Sequence, residues 1–313
     1  MSKKDTTTRS VNQRVGNEAG ARKLAREDAF VAYAMDRMLY RLGRSSQADE
    51  FYLKGGVLVA NLVAEPHRFT RDVDFLRKHG PPDAEDIRGR FETIVALAVA
   101  VDDGIAFGKV RATETDRAID DYDGVKVVIE AEVGGREVEI RVDIGFGDAV
   151  EPPVERLKLT PFLDDDPPAT VRAYQAETVI AEKVQTLFKR FPGVEHRLKD
   201  MLDVAVLSER LPFEGPALVA SLRATFERRG TPSDPQVLDD VSRRLKGRKW
   251  LALWSTMVRE KAVTGPMSLA EAIARFDLFV RPLILAVDGG DAPVAWPEGG
   301  PWTNAREDGI VSS

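Results

Sequence analysis

The sequence predicts an α/β fold of the α+β type, in which a core with a mixed sheet is followed by a mainly helical C-terminal domain. Apolar and polar residues alternate along residues 125–133 and again along 138–144, which is typical of half-buried strands. Gly134 and Gly135 lie between these two runs and predict a two-residue hairpin turn. After about residue 171, apolar residues recur instead at the spacing of helices.

The part of the chain before this hairpin is predicted to alternate between helices and short strands. Residues 1–20 are polar, show no periodicity and are expected to form a flexible N-terminal tail. The elements predicted after this tail are a helix at 26–42, a strand at about 50–53, a helix at 57–64, a strand at 72–76 and a helix at 84–100.

A change of composition marks the predicted domain boundary. Residues 163–171 (LDDDPPATV) are acidic and proline-rich, which is typical of a linker. We therefore expect a core at 21–165 and a helical C-terminal domain at 166–287. Residues 288–313 are rich in Gly, Pro and Trp and are expected to form an irregular tail.

The composition argues against several classes of protein. The chain has 313 residues, a mass of 34.6 kDa and a hydrophobic content of 43%, yet its apolar runs fall short of the ~18 residues of a membrane span. The sequence contains no Cys, three His, no HExxH motif and no GxxxxGK[ST] motif, which disfavours disulfides, zinc sites and P-loop NTPases. An apolar signal region is absent from the N-terminus, so we expect a cytoplasmic protein with no membrane partner.

Residues 51–76 (FYLKGGVLVANLVAEPHRFTRDVDFL) contain the clearest functional signal. Gly55 and Gly56 follow a short strand, and glycines before a helix let backbone N–H groups approach phosphates. Asp72 and Asp74 lie two residues apart on the next strand, so their side chains share one face. Two such carboxylates repel each other unless a cation lies between them, and Mg²⁺ arriving with nucleotide phosphates suits the pair. The combination predicts a site for Mg²⁺ and an NTP, although either half alone would be an ordinary turn or a solvated strand edge.

This arrangement resembles a known family. The order G-G, helix, D-x-D resembles the polymerase-β-like nucleotidyltransferases, and LKGG…RFTRDVDFL resembles their AbiEii/AbiGii branch, the toxins of type IV toxin–antitoxin systems. Three further segments match that branch, namely VDIGFGD (142–148), ETVIAEKVQTL (177–187) and HRLKDMLDV (196–204). The resemblance implies a polymerase-β-like nucleotidyltransferase core that uses Mg²⁺ to add nucleotides from NTP to an RNA, with the 3′ end of tRNA as the expected acceptor. It also implies growth inhibition and a cognate antitoxin protein as a partner.

The resemblance also assigns roles to individual residues. Asp143 lies on the polar face of its strand, and it is either a third metal-site carboxylate of the family's fold or an ordinary polar-face residue. Lys183, in the AEK segment, is either the nucleotide-binding or catalytic lysine of the family or an i,i+4 partner of a surface carboxylate. Asp200 matches the active-site Asp of the last motif, with a salt bridge to Arg197 or Lys199 as the alternative. Asp203 is expected to lie behind Asp200 and to support the position of its side chain.

The expected site residues therefore form three overlapping sets. They are Asp72, Asp74, Lys183 and Asp200 for catalysis; Asp72, Asp74 and Asp143 for the metal; and Lys54, Gly55, Gly56, Arg71 and Arg190 for the nucleotide.

Basic residues are concentrated in one region of an acidic chain. The net charge of the chain is −6, whereas residues 182–261 carry 16 Lys and Arg against 11 Asp and Glu, a net charge of +5. Such runs form either solvated helix faces or platforms for RNA phosphates. The residues predicted to form an RNA-binding surface are Arg228, Arg229, Arg243, Arg244, Lys246, Arg248 and Lys249.

Three other functions are compatible with parts of this pattern. The enzyme could transfer a nucleotide or a phosphate to a protein hydroxyl, or a degenerate relative could bind nucleotide or a partner protein without turnover. Some glycosyltransferases also use D-x-D to hold a metal and a sugar nucleotide. The presence of Asp72, Asp74 and Lys183 disfavours a degenerate protein. The Gly-Gly pair and helix that precede the D-x-D strand are a poor match to a glycosyltransferase.

Overall fold

The computed structural model describes residues 3–63, 68–100, 102–115, 124–265 and 267–303. The chain divides into two compact units. The first, here called the sheet unit, comprises the described parts of residues 1–61, 69–147 and 155–173. The second, here called the helical unit, comprises the described parts of 62–68, 148–154 and 174–313.

Helices and strands are interleaved in the sheet unit. Its elements are α1 (Lys3–Ala21), α2 (Arg26–Arg44), β1 (Phe51–Lys54), α3 (Gly55–Leu62), β2 (Asp72–Arg77), α4 (Ala84–Val95), β3 (Ile105–Glu114), β4 (Gly124–Val133), β5 (Arg136–Phe146), β6 (Glu155–Lys158) and β7 (Thr170–Ala173). The seven strands form one sheet in the order β3-β4-β5-β2-β1-β7-β6. β2 runs parallel to β5 and β1 parallel to β7, while the other pairs are antiparallel. The predicted mixed sheet is therefore confirmed.

Apolar side chains cover one face of this sheet. The rings of Phe51 in β1, Phe75 in β2 and Phe91 in α4 pack together, with centroids 5.3 to 6.5 Å apart. The predicted hairpin between β4 and β5 is also confirmed, because Gly134 and Gly135 both adopt positive φ and connect the paired ends of the two strands. A two-residue hairpin turn of this kind favours glycine at both positions.

The N-terminal segment differs from the prediction. Residues 3–21 form helix α1 and not a flexible tail. Val11, Val15 and Ala19 recur every four residues and are buried, and the helix lies against α2. The many polar residues between them conceal this spacing in the sequence.

The predicted linker is also wrong. Thr170–Ala173 forms β7, which pairs in parallel with β1 and in antiparallel with β6, so this part of 163–171 belongs to the sheet unit. Buried Ala169 and Val171 anchor it. Pairing with β7 gives the backbone N–H and C=O groups at the edge of β1 their hydrogen-bond partners. The free energy gained in this way outweighs the tendency of the Asp and Pro residues before β7 to form a loop. The predicted helix at 84–100 ends earlier, at Val95, and β3 was not predicted.

The helical unit contains six α-helices among its described residues. Its elements are α5 (Ala176–Arg190), a 3₁₀ turn (Glu195–Arg197), α6 (Leu198–Arg210), β8 (Phe213–Glu214), α7 (Gly215–Arg228), α8 (Gln236–Arg244), α9 (Arg248–Glu260), α10 (Leu269–Val287) and β9 (Ala295–Trp296). The predicted helical character is confirmed. In the part of the chain that the structure describes, none of the helices is long and apolar enough to cross a membrane.

The segment that follows α10 packs onto the helical unit. Trp296 is fully buried, and its ring lies 4.9 Å from that of Phe279 and 5.3 Å from that of Trp302. Its indole N–H donates a hydrogen bond of 2.6 Å to the carbonyl oxygen of Ser208. The described part of the predicted irregular tail is therefore tied to the protein by a buried aromatic cluster.

Candidate active site

The junction between β1 and α3 requires glycine. Gly55 has a φ of +66°, and a Cβ atom at this position would lie 1.9 Å from Oδ2 of Asp74. A Cβ atom on Gly56 would lie 3.0 Å from the Cβ and Oγ1 atoms of Thr70. The Asp74 carboxylate therefore lies directly against the start of α3, where the helix dipole and the backbone N–H groups favour anions such as phosphate.

Strand register brings the predicted metal-site carboxylates together. Asp74 in β2 is paired with Asp143 in β5, and on its other side with Lys54 in β1. Asp72, two residues earlier, is paired with Arg141. Asp72, Asp74 and Asp143 are half-buried, and their strand neighbours alternate to the buried face. The alternation that predicted one shared polar face is thus present in the structure.

These residues fit a magnesium ion that arrives with its nucleotide. Among the described residues, no group of three or more His, Cys, Asp or Glu side chains is arranged as a complete metal cage. Mg²⁺ is usually held by one or two carboxylates together with substrate phosphates. Asp74 and Asp143 on neighbouring strands could supply such a pair of oxygen ligands, and Asp72 lies on the same face next to them.

A buried ionic cluster occupies the helical unit. The Lys183 ammonium in α5 lies 3.0 Å from Oδ1 of Asp200 and 2.6 Å from Oδ2 of Asp203, both in α6. Arg68 donates two hydrogen bonds to the Asp203 carboxylate, at 2.6 and 2.7 Å. Arg197 lies 3.4 Å from the second oxygen of Asp200. The Asp203 side chain is 0% exposed and that of Lys183 is 10% exposed, so both charges depend on these partners.

The cluster keeps Lys183 positively charged. Burial by itself would lower the pKa of this ammonium, but the charges of Asp203 and Asp200 outweigh it and raise the pKa above its ordinary value. Lys183 is therefore a cation at neutral pH and cannot act as a general base. The interpretation of Lys183 as a partner of a surface carboxylate is wrong, since both of its partners are buried.

Arg68 is the residue of this cluster that the sequence did not predict. It lies in the RFTRDVDFL motif, four residues before Asp72, but in an irregular segment where periodicity carries no information. Its side chain is 4% exposed. The sequence did contain one indication of its role: Arg68 belongs to a motif whose other polar residues are accounted for by catalysis.

The two remaining predicted nucleotide-binding cations are accessible. Arg71 precedes β2, is 59% exposed at its side chain, and forms an ion pair of 2.5 Å with Asp28. It lines a cavity of about 460 Å³ together with Arg141 and residues of α2 and β5. Arg190 is exposed in the last turn of α5, about two turns beyond Lys183.

The predicted RNA-binding set needs one correction. The Arg229 side chain is only 9% exposed and lies 2.9 Å from carboxylate oxygens of both Asp148 and Glu182. It also donates a hydrogen bond to Gln185. Arg229 therefore holds α5, the end of α7 and the segment around Asp148 together, and it is removed from the RNA-binding set.

The other predicted RNA-binding residues lie on the surface of the helical unit. Arg243 forms an ion pair with Asp240, and Lys249 one of 3.0 Å with Glu195. The exposed members of the set lie at the ends of α7 and α8, between α8 and α9, and at the start of α9; they are Arg228, Arg243, Arg244, Lys246, Arg248 and Lys249.

Comparisons with known proteins found a matching family and similar folds. The profile of the family described as "Nucleotidyl transferase AbiEii toxin, Type IV TA system" matches residues 37–278. The fold is similar to that of MenT4, a nucleotidyltransferase toxin from Mycobacterium tuberculosis H37Rv, with a TM-score of 0.56 and 18% identity over 90% of each chain. JHP933 from Helicobacter pylori gives a TM-score of 0.46 and 15% identity over 80% of this chain and 90% of its own. No curated protein matches the sequence.

Proposed function

The chain belongs to the AbiEii family of nucleotidyl transferase toxins of type IV toxin–antitoxin systems, and from this premise we propose that it adds nucleotides from NTP to the 3′ end of a tRNA in a Mg²⁺-dependent reaction. The modified RNA would no longer serve translation, and growth would stop until a cognate antitoxin neutralised the enzyme. The observation that carries the proposal is the pairing of Asp74 with Asp143 beside the Gly55 start of α3.

Each residue then has a defined task. The backbone at Gly55 and Gly56 receives the phosphates of the nucleotide, because a helix N-terminus and the absence of a Cβ favour an anion there. Asp72, Asp74 and Asp143 would hold Mg²⁺, which supplies positive charge to the α-phosphate and to the departing pyrophosphate.

In this mechanism a new bond forms between the acceptor hydroxyl oxygen and the α-phosphorus, and the bond to the bridging oxygen of pyrophosphate breaks. The family resemblance assigns Lys183 to the nucleotide, where it would neutralise phosphate charge as an ammonium. Because it is protonated, it does not take the proton of the acceptor hydroxyl, which passes to a carboxylate of the sheet unit or to solvent.

A labelling experiment tests this proposal. The purified protein is incubated with each NTP in turn, radiolabelled at the α-phosphate, together with Mg²⁺ and total cellular RNA. We expect label in a band of tRNA size, and none with EDTA. Label in a protein band would instead support nucleotide transfer to a protein hydroxyl, and label in neither would contradict the proposal.

Replacement of Lys183 is expected to weaken nucleotide binding. Lys183→Gln removes the ammonium and keeps a polar side chain beside Asp200, so we expect NTP affinity to fall about tenfold or more, as for the loss of a charged hydrogen bond. Isothermal titration calorimetry measures this effect. The control is Lys189→Gln, which removes an exposed lysine from the last turn of the same helix. Equal NTP affinities in both variants would show that Lys183 has only a structural role.

Reversal of the basic surface is expected to weaken RNA binding alone. Arg243, Arg244, Lys246 and Lys249 are all replaced by Glu, which turns four exposed positive charges into negative ones. The KM for RNA should rise and its dependence on salt should flatten, because fewer counterions are released when the RNA binds. The KM for NTP serves as the internal control and should not change. An unaltered KM and salt slope for RNA would identify the run as a solvated helix face.

A further inference from the structure

A row of four charged residues crosses the sheet at the level of the paired aspartates. Lys54 of β1 is paired with Asp74 of β2, Asp74 with Asp143 of β5, and Asp143 with Lys126 of β4. Side chains of directly paired residues in neighbouring strands project from the same face. The four side chains therefore form one row in the order Lys, Asp, Asp, Lys, here called the charged row.

The two ends of the charged row differ in their surroundings. Lys54 is followed at once by Gly55, the start of α3, so this end lies at the phosphate-binding junction. Lys126 is exposed on β4, three strand spacings away from β1. With neighbouring strands about 4.8 Å apart, the two ends are separated by roughly 14 Å. A lysine side chain is too short to span this distance, so we expect Lys126 to contact a part of the reacting complex other than the phosphates at Gly55.

The direction of nucleotidyl transfer indicates which part of the reacting complex lies near Lys126. In phosphoryl and nucleotidyl transfer, the attacking oxygen approaches the phosphorus from the side opposite the leaving oxygen. If the β- and γ-phosphates bind at Gly55 and Gly56, pyrophosphate leaves towards α3. The acceptor hydroxyl then approaches from the side of β5 and β4, where Lys126 lies.

We propose that Lys126, together with Arg141, binds the phosphate backbone of the RNA strand whose end accepts the nucleotide. Arg141 projects from the same face of β5, opposite Asp72. Its side chain is 65% exposed and pairs at 3.1 Å with Glu139, a surface ion pair that contributes little stability and can be exchanged for a phosphate. This inference rests on the proposed function, because it requires an RNA acceptor.

The test compares two lysines of the same sheet. Lys126→Glu reverses the charge beside Asp143, and Lys158→Glu makes the same change on β6, at the opposite edge of the sheet. For Lys126→Glu we expect the KM for RNA to rise about tenfold, as for the loss of one charged contact, with an unchanged KM for NTP. Lys126→Ala, which adds no carboxylate, should change the KM for RNA in the same direction by less. Lys158→Glu should behave like the wild type.

A second readout does not depend on turnover. Fluorescence anisotropy of a labelled oligoribonucleotide, measured in EDTA and without NTP, should show weaker binding by Lys126→Glu and by Arg141→Gln, and unchanged binding by Lys158→Glu. If the KM for NTP rises instead and RNA binding stays the same, Lys126 serves the triphosphate and the inference is wrong. If wild-type protein labels RNA but Lys126→Glu matches it in both readouts, the inference alone fails. If the wild type labels no RNA, the proposed function fails and the inference falls with it.

Discussion

Asp74→Ala is expected to abolish nucleotide transfer while the protein stays folded. Asp74 is at the centre of the candidate site. Its carboxylate lies so close to Gly55 that a Cβ atom there would clash with it, and its strand partner is Asp143. Loss of a principal electrostatic contact to the reacting phosphates typically lowers the rate by about a hundredfold to a thousandfold. The stability should change by less than ~1 kcal/mol, because the substitution also relieves repulsion between two neighbouring carboxylates.

The measurements for this variant are the transfer of α-phosphate label, the growth of cells that express it, and thermal unfolding. Asp49→Ala is the matched control, because Asp49 belongs to the same unit but is exposed and pairs with Arg172 and Arg156 at 2.8 and 3.0 Å. The control should retain activity and toxicity. A folded Asp74→Ala protein with wild-type turnover would remove Asp74 from the catalytic site.

The elements that sequence analysis predicted correctly depend on local patterns. β4 and β5 alternate with a period of two on either side of Gly134 and Gly135, so the strands and their turn are specified by neighbouring residues. The same holds for β2, where the period of two places Asp72 and Asp74 on one face. Because Asp143 lies on the corresponding face of β5, parallel pairing of β2 and β5 suffices to bring the carboxylates together.

The elements that sequence analysis did not predict depend on contacts between residues that are far apart in the sequence. β7 is a strand because β1 offers it a partner more than a hundred residues earlier, and its own neighbours, Asp and Pro, favour a loop. α1 lies against α2 and buries three small or branched residues within an otherwise polar segment. Tertiary packing decides both cases, and single-sequence patterns do not contain it.

The same division applies to the candidate site. Lys183, Asp200 and the aspartates of β2 could be predicted because they lie in motifs with recognisable spacing. The bond between Arg68 and Asp203 could not, because it joins residues 135 positions apart and one of them lies in an irregular segment. Arg229 was misassigned because an Arg-Arg pair at a helix end carries no sign of which side chain is buried.

Asp203→Ala is expected to be the most destabilising single change in the ionic cluster of the helical unit. The Asp203 carboxylate is fully buried and is shared by two cations, Arg68 at 2.6 Å and Lys183 at 2.6 Å. Its removal leaves both cations in a low-dielectric environment, with Asp200 as the remaining partner of Lys183. Breaking a buried ion pair on one side typically costs about 3–5 kcal/mol, so the free energy of unfolding should fall by this amount.

Urea denaturation of Asp203→Ala tests this expectation against Asp240→Ala, which breaks an exposed ion pair with Arg243 and should cost less than ~1 kcal/mol. A double variant distinguishes a buried charge from simple loss of packing. If the cost comes from separating the buried charge of Arg68 from the Asp203 carboxylate, then Arg68→Met combined with Asp203→Ala should be clearly less destabilising than the sum of the two single changes. Additive effects would instead mean that Asp203 and Arg68 stabilise the helical unit independently, and the ionic cluster would then not explain why Lys183 is held in place.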